Sequence, residues 1–205
     1  MALTTYAELQ TSIAEFLNRD DLTAKIPDFI TLAEAQMNAE LRHWRMEKRA
    51  TAEMDTQYTA LPQDFIQPVR FIITGSEVSS LSQTDSKTIA DRRAASNNVG
   101  RPREYSIMDG AIEVYPTPDT TYTLELLYFR TLNALTNGNT SNWVLEYYPN
   151  AYLYGALLHS APYLMDDQRI QTWGAFYRKA IDDINNDGVK SKTAADGRRI
   201  KIRSY

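Results

Sequence analysis

Few side chains in this sequence could do covalent or proton-transfer chemistry, and they are scattered. His43 and His159 fall in different predicted helices, and neither has a second histidine near it in sequence. A solitary histidine on a helix serves as a packing contact more often than as a base or a metal ligand. Carboxylates occur as adjacent pairs at Asp20-Asp21, Asp166-Asp167 and Asp182-Asp183. Adjacent residues on a helix point in different directions, so these pairs suit helix caps and solvated faces rather than general acid/base work. The chain has no HExxH, no phosphate-cradling glycine loop and no nucleophile elbow. It also has no cysteine, which excludes disulfides, thiolate metal sites and cysteine nucleophiles. No catalytic, cofactor-binding or metal-binding residue is assigned, and no cofactor is expected.

What remains is the chemistry of contact. Arg92-Arg93 and Arg101-Pro102-Arg103 could touch phosphate, or could sit in solvated loops and ion pairs. Tyr147, Tyr148, Tyr152, Tyr154 and Tyr163 could stack on bases, but on an apolar helix such a series belongs to a core or a subunit interface. The clearest electrostatic feature is the C-terminus. In Gly188–Tyr205, Lys190, Lys192, Arg198, Arg199, Lys201 and Arg203 stand against Asp196 alone, a sum of +5. The whole chain carries −4, so the remaining residues carry −9. So acidic a body does not suit general nucleic-acid binding. With Ile200, Ile202 and Tyr205, the cationic tail reads as a docking arm that pairs with acidic surface and fills apolar pockets or joins a strand edge.

These residues must be held by elements, and the best-determined lie between Trp143 and Asn186. Pro149 to about Leu164 is apolar on nearly every side, so it belongs inside a core or an interface. It is too short and too rich in tyrosine to span a membrane. Gly155, Ala156 and Ala161 leave room for a neighbouring backbone, and Pro162 is expected to kink or end the helix. Asp166 and Asp167 read as an N-cap pair for a second, amphipathic helix carrying Ile170, Trp173, Phe176 or Tyr177, Ala180 or Ile181, and Ile184. Trp143, Tyr152, Leu157, Trp173 and Phe176 are the expected core or subunit-packing residues.

Towards the N-terminus, Thr5-Tyr6-Ala7-Glu8 has capping-box spacing, followed by Tyr6, Leu9, Ile13, Phe16 and Leu17 on one face. Ile26, Ile30, Ala33, Met37, Leu41 and Trp44 predict a helix from about Pro27 to Glu47. Beyond Arg49 the period becomes two. Residues 50–54 and 58–61 read as a β-hairpin, 69–74 as a strand, and 85–95 as a short helix in an ambiguous stretch from 76 to 98. Asp109-Gly110 predicts a hairpin joining 104–108 to 111–115, and 122–130 alternates as a further strand. Asn133–Asn142 is a polar loop. The N-terminus lacks a basic region followed by an apolar run, so no signal peptide is expected. Asn139-Thr140-Ser141 is a chance sequon in that setting.

The expected fold class is α+β. An antiparallel helical bundle is formed by the N- and C-terminal helices, residues 1–48 and 143–187. A small antiparallel β domain, residues 49–142, is inserted between them, and an extended C-terminal arm covers 188–205. The segments TTYAELQTSIAEFLNRDDLTAKIPDFITLAEAQMNAELR, RATAEMDTQYTALPQDF and, most specifically, SNWVLEYYPNAYLYGALLHSAPYLMDDQRIQTWGAFY resemble the head-to-tail adaptor proteins of short-tailed double-stranded DNA bacteriophages. His159 departs from the pattern at a position where an acidic residue is expected. The resemblance implies a non-enzymatic virion protein, made in the bacterial cytoplasm and placed at the head–tail junction. It implies a dodecameric ring of identical subunits around passing double-stranded DNA, with portal protein on one side and tail nozzle protein on the other. The rival expectation is a small nucleic-acid-binding or DNA-processing factor.

Overall fold

The structure, a computed structural model, describes residues 3–19, 21–75, 77–164 and 167–195. In chain order the elements are helices α1 (Tyr6–Leu17) and α2 (Ile26–Glu40), a 3-10 turn (Trp44–Met46), and strands β1 (Glu47–Met54), β2 (Tyr58–Ala60), β3 (Phe65–Thr74), β4 (Ser79–Ser80) and β5 (Ser82–Gln83). Then follow α3 (Ser86–Ala95), β6 (Glu104–Met108), β7 (Ala111–Tyr115), β8 (Tyr122–Arg130), α4 (Trp143–Tyr147), α5 (Pro149–Leu164) and α6 (Asp167–Ala195). The protein is α+β, and the chain divides into a helical unit, Met1–Arg45 with Leu132–Tyr205, and a β unit, Met46–Thr131.

In the helical unit, α1 begins with the expected capping box. The Thr5 hydroxyl accepts from the Glu8 amide at 3.3 Å, and the Glu8 carboxylate accepts from the Thr5 amide at 3.0 Å. Its buried face is Tyr6, Leu9, Ile13 and Leu17, whereas Phe16 is exposed. Helix α2 stops at Glu40, one and a half turns or more before the predicted end near Glu47. Leu41 turns extended, and Asn185 of α6 accepts from the Arg42 amide at 2.8 Å while donating to the Glu40 carbonyl at 3.2 Å. A distant side chain thus satisfies groups that helix continuation would have used. Leu41 stays buried, and Trp44 is left partly exposed.

Helix α5 carries the core of this unit. Tyr152, Ala156 and Leu157 are fully buried, and Pro162 stands two residues before the helix ends at Leu164. At Gly155 a β-carbon would come within 3.1 Å of both Ala33 of α2 and Tyr177 of α6, so glycine sets the closeness of three helices. In α6 the buried face is Trp173, Tyr177, Ala180, Ile181 and Ile184. Phe176, expected in the packing set, is exposed and lies against the Tyr154 ring at 5.0 Å; Tyr177 takes the inward place. The proposed Asp166 cap lies outside the described residues, as does the Asp167 side chain.

An extended arm was expected to begin at Gly188. Helix α6 continues through it to Ala195, so Lys190 and Lys192 are helical. Gly188 serves close approach rather than termination: a β-carbon there would lie 2.9 Å from His43 Cδ2 and 3.3 Å from its Cα. Arg198, Arg199, Ile200, Lys201, Ile202, Arg203 and Tyr205 lie outside the described residues.

The β unit holds two sheets, ordered β1-β8-β3-β4 and β2-β7-β6-β5. The β6–β7 hairpin has the predicted ends, with Asp109 at φ 46° and Gly110 at φ 70°, the left-handed pair a two-residue turn requires. The hairpin expected between 50–54 and 58–61 does not form. Strand β1 pairs along its whole length with β8, and β2 pairs with β7 in the other sheet. Both sheets contribute to one core, from Met54, Phe71, Leu124, Leu126 and Tyr128 on one side and Tyr105, Ile112 and Val114 on the other. Burying Met54 against β8 outweighs a local turn at Asp55–Gln57.

Candidate functional site

The chemically capable residues do not converge. His43 is buried; its Nδ1 accepts from the Arg45 amide at 3.2 Å, and its ring stacks on Trp143 at 4.8 Å. Its Nε2 lies 3.6 Å from an Asp187 carboxylate oxygen, and that carboxylate also accepts from the Tyr148 hydroxyl at 2.8 Å. This histidine joins α6 to the end of α2 and the start of α4. His159 is half-buried, with Nε2 at 3.0 Å from Gln36 Oε1, and burial holds its pKa below the usual value against the opposing charge of Glu40. Of the carboxylate pairs, Asp21 is held by Arg19 at 2.6 Å and Asp183 by Lys179 at 3.0 Å. Among the described residues no group of three or more His, Cys, Asp or Glu could hold a metal ion.

Of the arginines considered for phosphate, Arg92, Arg93 and Arg101 are engaged within the β unit, and Arg103 is exposed. Arg92 pairs with Glu104, and Arg93 donates to the Val114 carbonyl at 2.9 Å and lies 3.5 Å from Glu113. Arg101 donates to Ser79 Oγ at 3.1 Å and to the Glu77 carbonyl. The tyrosine series is not one platform. Tyr152 is fully buried, Tyr148 and Tyr154 are half-buried, and Tyr147 and Tyr163 are exposed.

The helical unit instead presents contact features. The Arg45 guanidinium lies 4.9 Å over the Trp44 ring and 4.1 Å over the Tyr147 ring, and both rings are largely exposed. A groove of about 670 Å³ runs along α6, and its lining includes Leu158, Ile170, Ile181, Gln36, Glu40 and Arg178. Of the five expected packing residues, Tyr152, Leu157 and Trp173 are buried, Trp143 is half-buried against His43, and Phe176 is on the surface.

Sequence reasoning missed a buried polar knot that fixes the loop before α4. Glu34 of α2 accepts from the Leu135 amide at 2.8 Å and from the Tyr152 hydroxyl at 3.0 Å. Asn142 donates to that hydroxyl at 2.6 Å and caps α4 by accepting from the Val144 and Leu145 amides at 3.1 Å. Its one signal was a carboxylate beside Ala33, on a face otherwise apolar. Burial raises the Glu34 pKa, and the two hydrogen bonds oppose that without cancelling it. A raised folded-state pKa means that Glu34 favours the fold below about 4.5 and loses that contribution as pH rises through its folded pKa. Glu34→Gln keeps an acceptor oxygen and removes the charge. Relative to the parent, it should therefore gain stability as pH rises from 4 to 7, measured by urea midpoints across that range. A pH-independent offset would show that the Glu34 pKa is the same in the folded and unfolded chain.

No helix among the described residues is long and apolar enough to cross a membrane. A family model described as SU10 adaptor protein matches residues 4–200. No curated protein matches the chain.

Proposed function

Because this chain belongs to the SU10 adaptor protein family, a phage structural adaptor family, we propose that it is a head-to-tail adaptor of a short-tailed double-stranded DNA phage. The family match across nearly the whole chain is the observation that carries this reading. Identical subunits form a dodecameric ring between portal protein and tail nozzle protein, around the channel through which DNA passes. The terminal helices form an antiparallel bundle that carries the β domain, and the basic C-terminal arm docks on portal or on a neighbouring subunit. A closed ring needs two different lateral faces on each subunit. The exposed Trp44–Arg45–Tyr147 cluster and the groove along α6 are two dissimilar surfaces of the kind such contacts use.

The chemistry is contact, without covalent steps. DNA passes without specific binding, because phosphate attraction is dominated by Lys and Arg, and the body without its tail carries −9. The ring lumen is expected to be predominantly acidic; a map of the assembled ring with a continuous Arg/Lys belt along the channel would contradict this. Incubation of the purified chain with portal-bearing heads tests the function itself, beside a titration with double-stranded DNA at increasing salt. Stable attachment to heads with negligible DNA affinity is expected. Strong, steeply salt-dependent DNA binding without head attachment would favour the nucleic-acid-binding rival.

A further inference from the structure

Trp44, Arg45 and Tyr147 form a surface cluster whose charge is unmatched. The Arg45 guanidinium lies over both rings, and among the described residues no carboxylate pairs with it. Glu146, beside Tyr147, is exposed and likewise makes no ion pair. The cluster has a firm support, because the buried His43 ring lies 5.4 Å from the Trp44 ring and stacks on Trp143. Exposed tryptophan, tyrosine and arginine on such a support are the side chains that dominate binding at protein interfaces. Covering Arg45 without a counter-charge would be costly, so the surface that covers it has to be both apolar and acidic.

The groove along α6 has that character. Its lining combines the half-buried Leu158 and Ile170 and the exposed Ala175 with Glu40, Asp182 and Arg178. None of these three charges makes an ion pair among the described residues, although Arg178 and Asp182 stand four residues apart on one helix. At about 670 Å³ the groove falls within the ~300–1,000 Å³ of concave binding sites. We infer that the Trp44–Arg45–Tyr147 cluster of one subunit docks in the α6 groove of its neighbour. Arg45 meets Glu40 and Asp182, Glu146 meets Arg178, and the two rings cover Leu158, Ile170 and Ala175. Charge selects a second copy as the occupant: the cluster brings one cation and one carboxylate, and the groove offers two carboxylates and one cation, all of them unpaired. This rests on the adaptor-ring reading and names the residues of its lateral contact. Each subunit carries one such cluster and one such groove, so the contact is heterologous and closes with the ring.

The absence of native cysteine makes the test direct. Glu146→Cys, beside the rings, is combined in turn with Gln171→Cys and Ala175→Cys, both in the groove lining. The full chain is assembled on portal-bearing heads, oxidised, and run on a denaturing non-reducing gel. At least one pair should give a ladder of covalent multimers, and the corresponding single variants, mixed, should stop at dimers. Thr11→Cys with Ala175→Cys, placing the first thiol on α1, should give neither. In parallel, Arg45→Glu should lower co-sedimentation with heads about tenfold, and so should Glu40→Lys with Asp182→Lys. An equimolar mixture of the two charge-reversed chains should restore it, because alternating subunits then meet opposite charges; circular dichroism checks that each is folded. Attached adaptor with no cross-link, a monomer closed by an internal disulfide, dimers from one single variant alone, or equal cross-linking from position 11 would overturn the inference while leaving the ring reading intact. So would attachment unaffected by Arg45→Glu or not restored by mixing; the groove would then belong to portal, to nozzle or to the subunit's own chain. Failure of the parent to attach would remove the ring reading and the inference with it.

Discussion

Leu157→Ala should lower the stability of the helical unit by roughly 2–5 kcal/mol, the usual cost of emptying a large buried aliphatic site. Leu157 is fully buried in α5, where Gly155 brings α2 and α6 close to the same helix. So little free space means that neighbours can collapse only partly into the cavity. Lys179→Ala is the natural contrast. Its side chain is 72% exposed, and its pair with Asp183 four residues on contributes about 0.3–0.5 kcal/mol. Denaturant midpoints followed by circular dichroism should fall clearly for the first variant and barely move for the second, with similar slopes. Equal and negligible changes would mean that α5 is not the centre of the unit.

Ending the chain after Ala195 should leave the helices folded and abolish attachment to portal-bearing heads. This site respects the length of α6. A stop after Asp187, where the sequence placed the start of the arm, would also remove Gly188, which packs on His43. The deleted residues hold Arg198, Arg199, Lys201 and Arg203, four of the six cations of the basic tail. Repeated around a ring, even weak arm contacts combine through effective concentration, so losing all of them together should have a large effect. Circular dichroism checks the fold, and sedimentation with heads checks attachment. Normal co-sedimentation of the shortened chain would assign docking to the described surfaces of the folded units instead.

What could be read from the sequence follows the range of each interaction. The Thr5–Glu8 capping box and the Asp109-Gly110 hairpin are set by neighbours in the chain, and both have their expected form. Long-range partners decided the rest. Alternation marks residues 50–54 as a strand but cannot say that β8 is its partner, and so the supposed local hairpin became a link between two sheets. The end of α2 is met by Asn185, and Gly188 lets α6 pass close to His43. Neither partner is adjacent in sequence. At Phe176 and Tyr177 periodicity left two neighbours competing for one inward position, and packing chose the tyrosine. The Glu34–Tyr152–Asn142 knot was illegible because it requires three elements to be assembled first.

Ring formation at the head–tail junction is measured most directly by mass. Native mass determination of purified portal, with and without saturating adaptor, should show an increment of one dodecameric set of 23.4 kDa chains. An unchanged portal mass, with the adaptor remaining free at saturating concentration, would contradict it.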